Sequence, residues 1–329
     1  VAVAGGRLKD VLCSGPILRQ AAGMRSRFLL ISLVAAALAG GVLLWWQSRA
    51  SPRLGEAAYA HTRAILAFGP RPAGSAGLTA VRGYLRTQLE AAGWVTAGQA
   101  FERSTSIGTV AFENVRARFP GGEGDVWQRP VRGLLGAHVD SKFYKNQTFL
   151  GADDAASACA AILIIARELA TADPALARQL ELVFFDGEEA FAPNITPFDG
   201  LYGSRFYANE LRTAASKPQF GVILDMIGHR NLAIALPADT PEPLRAAVLE
   251  AAKKEGGASR FSMAPGPIID DHTPLNLAGV PTVDIIGDFS VGGWWHTPAD
   301  SLELISPESL DLSIRVALRV LRDQLQTAK

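Results

Sequence analysis

The chain has 329 residues, room for one large domain or two ordinary ones at roughly 100 to 200 residues per domain. Its 32 Lys and Arg balance 32 Asp and Glu, so no net field draws it toward a polyanion and no nucleic-acid partner is expected. At 48% hydrophobic residues a sizeable core is available, and the only two cysteines, Cys13 and Cys159, are poor candidates for pairing, so stability rests on that core.

Residues 1–23 precede Met24-Arg25-Ser26-Arg27 and read as an upstream extension without a structural role. The run Phe28 to Trp46 carries no charge and follows two arginines, as an export signal or membrane anchor does. It is about long enough to span a bilayer, which takes roughly 17 to 25 residues. Ala37-Leu38-Ala39 offers a cleavage site, but Val42-Leu43-Leu44-Trp45-Trp46 continues the apolar run and favours an uncleaved anchor in the inner membrane. In either case residues 24–52 are signal or anchor plus linker. The globular part, 53–329, then faces the periplasm or exterior, because the positive residues stay inside.

Gly55 to Phe68 has helical spacing and stops at Gly69-Pro70-Arg71-Pro72; Ser75 to Gly93, with Leu78, Val81, Leu85 and Leu89 at helical intervals, is a second helix. Trp94 to Phe119 alternates and is rich in Thr, Val and Phe, which predicts two strands. Short apolar runs at Val131 to Ala137, Leu180 to Phe185, Phe220 to Leu224 and Pro281 to Ile286 predict buried strands. Helical patterns alternate with them at Ala155 to Leu169, Gly203 to Leu211, Pro241 to Lys254 and Pro307 to Gln326. This alternation predicts an α/β fold: a three-layer sandwich with a central mixed, mostly parallel sheet flanked by helices.

Polar residues cluster where such a sheet places ligands, after the carboxyl ends of its strands. The first run leads into His138-Val139-Asp140, the second into Asp186-Gly187-Glu188-Glu189 and the third into Asp225. His138, His272 and His296 sit in compact polar motifs, though any one of them alone is more often structural. Asp153 and Asp154 lie on a Gly- and Ala-rich loop before a helix; Asp153 reads as an N-cap, Asp154 less so. In extended backbone the side chains of Glu188 and Glu189 point apart, so one could bind a metal while the other moves protons. A cation would relieve the repulsion between such carboxylates.

His138-Val139-Asp140-Ser141-Lys142, Gly151-Ala152-Asp153-Asp154, Phe184 to Phe191, Leu201-Tyr202-Gly203-Ser204-Arg205, Asp225-Met226-Ile227-Gly228, Asp270-Asp271-His272 and Trp295-His296-Thr297 occur in one order over residues 55 to 327. Together they resemble the glutaminyl-peptide cyclotransferases, of the superfamily of the zinc aminopeptidases. The resemblance implies a single catalytic domain with one zinc ion per chain held by Asp154, Glu189 and His296. It implies Glu188 as general acid and base, with Asp225 and Asp270 orienting it and the substrate, a peptide or protein beginning with Gln. It also implies a cis peptide between Asp154 and Ala155. Trp295 is expected as an aromatic wall for the glutamine side chain or as ordinary core. His138 is placed beside the metal ligands rather than among them, with Asp140 in the same supporting shell. His272 either orients Asp270 or satisfies its own loop.

The chain departs from the family pattern at three places. Asp284 replaces the usual histidine after Gly279-Val280-Pro281; Ala137 stands where animal members carry a cysteine that pairs with the one matched by Cys159; and Ala192 to Gly200 lacks an entrance tryptophan. Two other readings remain: a zinc aminopeptidase using nearly the same ligands with Glu188 as base, and a catalytically dead domain used for binding at the membrane.

Overall fold

The computed structural model describes residues 54–326 and the isolated Ala2. The apolar run at 28–46, the linker at 47–52, Cys13 and, Ala2 apart, the extension at 1–23 lie outside the described residues.

Among the described residues eight strands follow in chain order: β1 Val95–Thr105, β2 Gly108–Arg118, β3 Gly133–His138, β4 Leu180–Phe185, β5 Phe220–Asp225, β6 Ile234–Leu236, β7 Phe261–Met263 and β8 Thr282–Ile286. Six of them form one sheet in the order β1-β2-β4-β3-β5-β8. The hairpin β1–β2 pairs antiparallel from Val95 opposite Arg118 to Thr105 opposite Gly108, and β2 joins β4 antiparallel. From β4 through β3 and β5 to β8 all pairs are parallel, so the sheet is mixed and mostly parallel. Every residue of β3, β4, β5 and β8 is buried, which is why these strands are near-continuous apolar runs.

The helices are α1 Leu54–Leu66, α2 Ala76–Ala91, α3 Ala158–Ala172, α4 Pro174–Ala177, α5 Tyr202–Thr213, α6 Glu242–Lys254, α7 His272–Leu277 and α8 Pro307–Gln326. Strand side chains alternate between faces. Leu135, Ala137, Leu182, Phe184, Val222 and Leu224 share the larger core with residues of α1, α2, α3, α6 and α8. Leu134, Val183, Phe185 and Ile223 pack on the other side with Tyr207, Leu211 and Leu275 of α5 and α7. The result is the expected three-layer sandwich. The α2 stripe of Leu78, Val81, Leu85 and Leu89 is buried, and Ser75 caps the helix by accepting the Leu78 N–H at 3.1 Å.

Three elements differ from expectation. The helix predicted from Ala155 is preceded by a wide turn, Ala152–Ser157, and becomes regular at Ala158. The two-stranded sheet β6–β7 was not predicted, because three-residue strands are too short to display a period of two. Nor was α7, a six-residue helix containing Pro274. The segment Ala152–Ala172 is apolar and long enough to cross a membrane, yet 72% of its most apolar window is buried within the fold, which makes it a core helix.

Candidate metal centre

The parallel strands all end at one edge of the sheet, and their ends carry the polar motifs. His138 closes β3 opposite Phe185, the last residue of β4, and Asp225 closes β5. Asp140 then organises the turn after β4: its Oδ1 accepts the N–H groups of Gly187 (3.0 Å) and Glu188 (3.1 Å), and its Oδ2 accepts that of Glu189 (3.2 Å). That turn needs Gly187, whose φ is 71° and where a Cβ would lie 2.4 Å from the Phe112 ring.

Asp154 is delivered by the loop before α3, across a cis peptide to Ala155. Gly151 has φ 56°, and a Cβ there would lie 1.9 Å from the Asp154 carbonyl oxygen. Asp300 holds the loop from the other side, accepting the N–H groups of Asp153 (2.7 Å) and Asp154 (3.2 Å). Asp153 does not cap its own helix as expected; its Oδ1 accepts the Gly228 N–H at 2.7 Å, tying the loop to the chain beyond β5.

One ligand atom each from Asp154, Glu189 and His296 lies within 4.8 Å of the others. His296 Nε2 is 3.5 Å from Asp154 Oδ2 and 3.3 Å from Glu189 Oε1. A second group, His138, Asp154 and Asp225, meets the same criterion, with His138 Nε2 3.0 Å from Asp154 Oδ1 and 3.3 Å from Asp225 Oδ1. Burial opposes a charge on His296, but Asp154 and Glu189 outweigh it and push its pKa up to about 9. His138 is likewise held well above the ordinary imidazole value, burial being overcome by Asp140, Asp154 and Asp225. Burial would raise Asp154, yet its two histidine contacts hold it well below the usual carboxylate range. Burial pushes Asp225 up to about 7 and holds Glu188 well above its usual value, with Glu189 and Asp271 adding to the latter against the pull of His138. The buried Glu189 Oε1 and Asp225 Oδ1 make no hydrogen bond. Crowded carboxylates, unsatisfied oxygens and a histidine that holds a proton only because of them fit a divalent cation with nitrogen and oxygen donors.

Residues 114–321 match peptidase family M28. The chain belongs to that family. A glutaminyl-peptide cyclotransferase-like protein of Mus musculus is 30% identical over 285 residues, covering 78% of this chain and 72% of the relative. Among solved structures, a glutaminyl cyclase from an Acidobacteriales bacterium superposes with a TM-score of 0.74 at 27% identity, over 84% of this chain and 97% of its own. A Zn-dependent exopeptidase from Parabacteroides distasonis reaches 0.73 at 27% identity, over 83% and 99%. The chain is thus an M28-family enzyme related to the glutaminyl-peptide cyclotransferases, as the ordered motifs implied.

In this M28 fold a cavity of about 330 Å³ opens over the two clusters, bounded by Asp154, Glu188, Glu189, Asp225, Asp270 and Trp295 among others. Of the two adjacent tryptophans it is Trp294 that enters the core, with Met226 and Ile286; Trp295 faces the cavity and stacks on His296 at 3.8 Å between ring centroids. His272 Nδ1 lies 3.2 Å from Asp284 Oδ2, both groups fully buried, and its Nε2 lies 4.0 Å from Asp239 Oδ2. The carboxylate that replaces the family's usual histidine is met by an imidazole, whose pKa rises because Asp284 overcomes the effect of burial.

Sequence reasoning missed two residues beneath the site. Arg71, read only as part of a helix-stopping Gly-Pro-Arg-Pro, is fully buried and donates to the carbonyls of Val139 (2.9 Å), Gly151 (2.7 Å) and Leu150, clamping the loops that carry Asp140 and Asp154. Asp300 is the other. The available signal was an arginine beside two prolines and an aspartate soon after His296, neither distinctive in isolation. A third, Lys142, was noted only within its motif; it is buried with Nζ 3.2 Å from Glu189 Oε2.

Proposed function

We propose that this enzyme cyclises the N-terminal glutamine of peptides or proteins to pyroglutamate with release of ammonia, using one zinc ion held by Asp154, Glu189 and His296. The observation that carries the reading is the division at the end of β4. Glu189 lies against His296 and Lys142, while Glu188 lines the cavity with Asp270, and burial raises the proton affinity of its carboxylate, as a group that takes up and then releases a proton requires. Bound at the three ligands, the metal supplies Lewis-acid polarisation of the side-chain amide carbonyl. Glu188 takes the proton that the α-amine loses as its nitrogen bonds to the side-chain carbonyl carbon, and gives a proton to the amide nitrogen as that C–N bond breaks and ammonia leaves. A proton transfer of this kind contributes typically 10² to 10⁴ in rate. Amine and amide belong to one residue, so little orientation is needed beyond what Trp295 and the cavity walls supply. Asp225 and Asp270 orient Glu188 and the substrate, and Asp140 fixes the turn that carries both glutamates.

The test is incubation of the purified enzyme with a Gln-initiated peptide while ammonia and pyroglutamyl product are measured. A second reading, hydrolytic removal of N-terminal residues between two metals, draws on the His138, Asp154 and Asp225 group. Release of free N-terminal amino acids with two zinc ions per chain would select it over cyclisation. We also propose that residues 28–46 tether the enzyme to the inner membrane with the catalytic domain outside the cytoplasm.

A further inference from the structure

Ile269 is 60% exposed and forms a wall common to two cavities. On one side is the catalytic pocket, where five carboxylates, Asp154, Glu188, Glu189, Asp225 and Asp270, are set beside Lys142 and His296. On the other is a cavity of about 270 Å³ between α5 and α7 with the opposite character. Among the described residues its charged lining groups are Arg205 and Arg212, set among Ala208, Pro274 and Leu277, and Leu277 is 73% exposed. The Arg205 guanidinium is committed to the carbonyls of Thr196 (2.7 Å) and Pro197 (3.0 Å), in the loop whose Pro193 and Ile195 line the catalytic pocket. Arg212, in the last turn of α5, is exposed and has no side-chain partner among the described residues.

We propose that this second cavity is a downstream subsite for the peptide whose N-terminus occupies the catalytic pocket, and that it selects an acidic side chain. The assignment rests on the peptide N-terminus reading given above. A pocket lined with carboxylates beside a cavity lined with arginines orients an extended chain: the α-amine meets the carboxylates that are not metal ligands, while a carboxylate further along is drawn over Ile269 to Arg212. Exposed Leu277 offers apolar contact for the stem of that side chain. Because Arg212 is solvated, the preference is modest, about two- to fivefold, and declines as salt screens it.

The experiment compares kcat/KM for Gln-Ala-Ala-Glu-Ala and Gln-Ala-Ala-Lys-Ala amides, together with the pairs in which the charged residue stands one position earlier or later. The ratio within a pair is insensitive to the amount of folded enzyme. The expected result is a Glu preference in at least one pair, lost at high salt and reversed in Arg212→Glu. Equal values in every pair, or a preference that survives Arg212→Glu, overturns the proposal. Calorimetric binding of the same peptides to Glu188→Gln reads the cavity whatever reaction the site performs. Glu-selective, Arg212-dependent binding without any pyroglutamate from the unmodified enzyme sinks the cyclase reading and leaves the subsite standing; cyclisation with charge-blind binding does the reverse.

Discussion

Beneath the pocket, Arg71, Asp140 and Asp300 are buried and hydrogen-bonded to the backbone of the loops that present Asp154, Glu188 and Glu189. Around and beyond its mouth, Ile269 and Phe198 are 60% and 89% exposed, and the exposed Arg212 has no side-chain partner among the described residues. The floor is over-determined: each ligand loop is held by a polar group that would be costly to leave unpaired. The rim loop is held at its base by Arg205, which donates to the carbonyls of Thr196 and Pro197, and by Asp199, which accepts the N–H groups of Phe191 and Ala192, while its tip at Phe198 stays exposed. A site divided in this way keeps its chemistry rigid while its choice of peptide can drift by substitution at positions that support nothing.

The contrast makes the floor the place where substitutions matter most. Glu188→Gln keeps shape and burial while removing the proton carrier, so kcat for a Gln peptide is expected to fall about 10²- to 10⁴-fold with the melting temperature nearly unchanged; a loss under threefold would remove Glu188 from that role. Arg71→Ala strands the carbonyls of Val139, Leu150 and Gly151, and unfolding in urea should show a loss of about 3 kcal/mol together with weaker metal retention.

Acidity sharpens the picture with two opposite signs. With His296 raised to about 9, a metal must displace its proton at neutral pH, so zinc affinity should rise roughly tenfold per pH unit toward pH 9 and then level off. In the metal-free protein the same raised pKa stabilises the fold fully below the unfolded imidazole value, and that contribution fades as pH climbs through about 9. Calorimetric titration of zinc and thermal melts of chelated protein, both across pH 6 to 10, read the two trends; parallel trends would argue that His296 is not at the metal. The smallest effect belongs to the rim: Phe198→Ser should change stability by less than about 0.5 kcal/mol in the same urea experiment.

The four parallel strands were legible because each is buried on both faces and therefore reads as an unbroken apolar run ending in polar residues. The ordered motifs led to the cluster at Asp154, Glu189 and His296. What escaped was everything whose meaning depends on a distant partner. Asp153 looks like a helix cap until Gly228 is folded against it, and His272 has no visible reason to meet Asp284 across the turn between α7 and β8. Arg71 is an ordinary loop residue until three carbonyls from two other loops converge on it. β6, β7 and α7 escaped for a simpler reason, being too short to repeat the periods that identify them.

The centre draws on Arg71 from the first helix boundary, on three strand ends in the middle, and on His296 and Asp300 from close to the last helix. No short fragment of the domain contains it, because its members run from residue 71 to residue 300. A chain still being synthesised therefore lacks part of the centre until residues 296 to 300 have been added, and the complete cluster can form only afterwards.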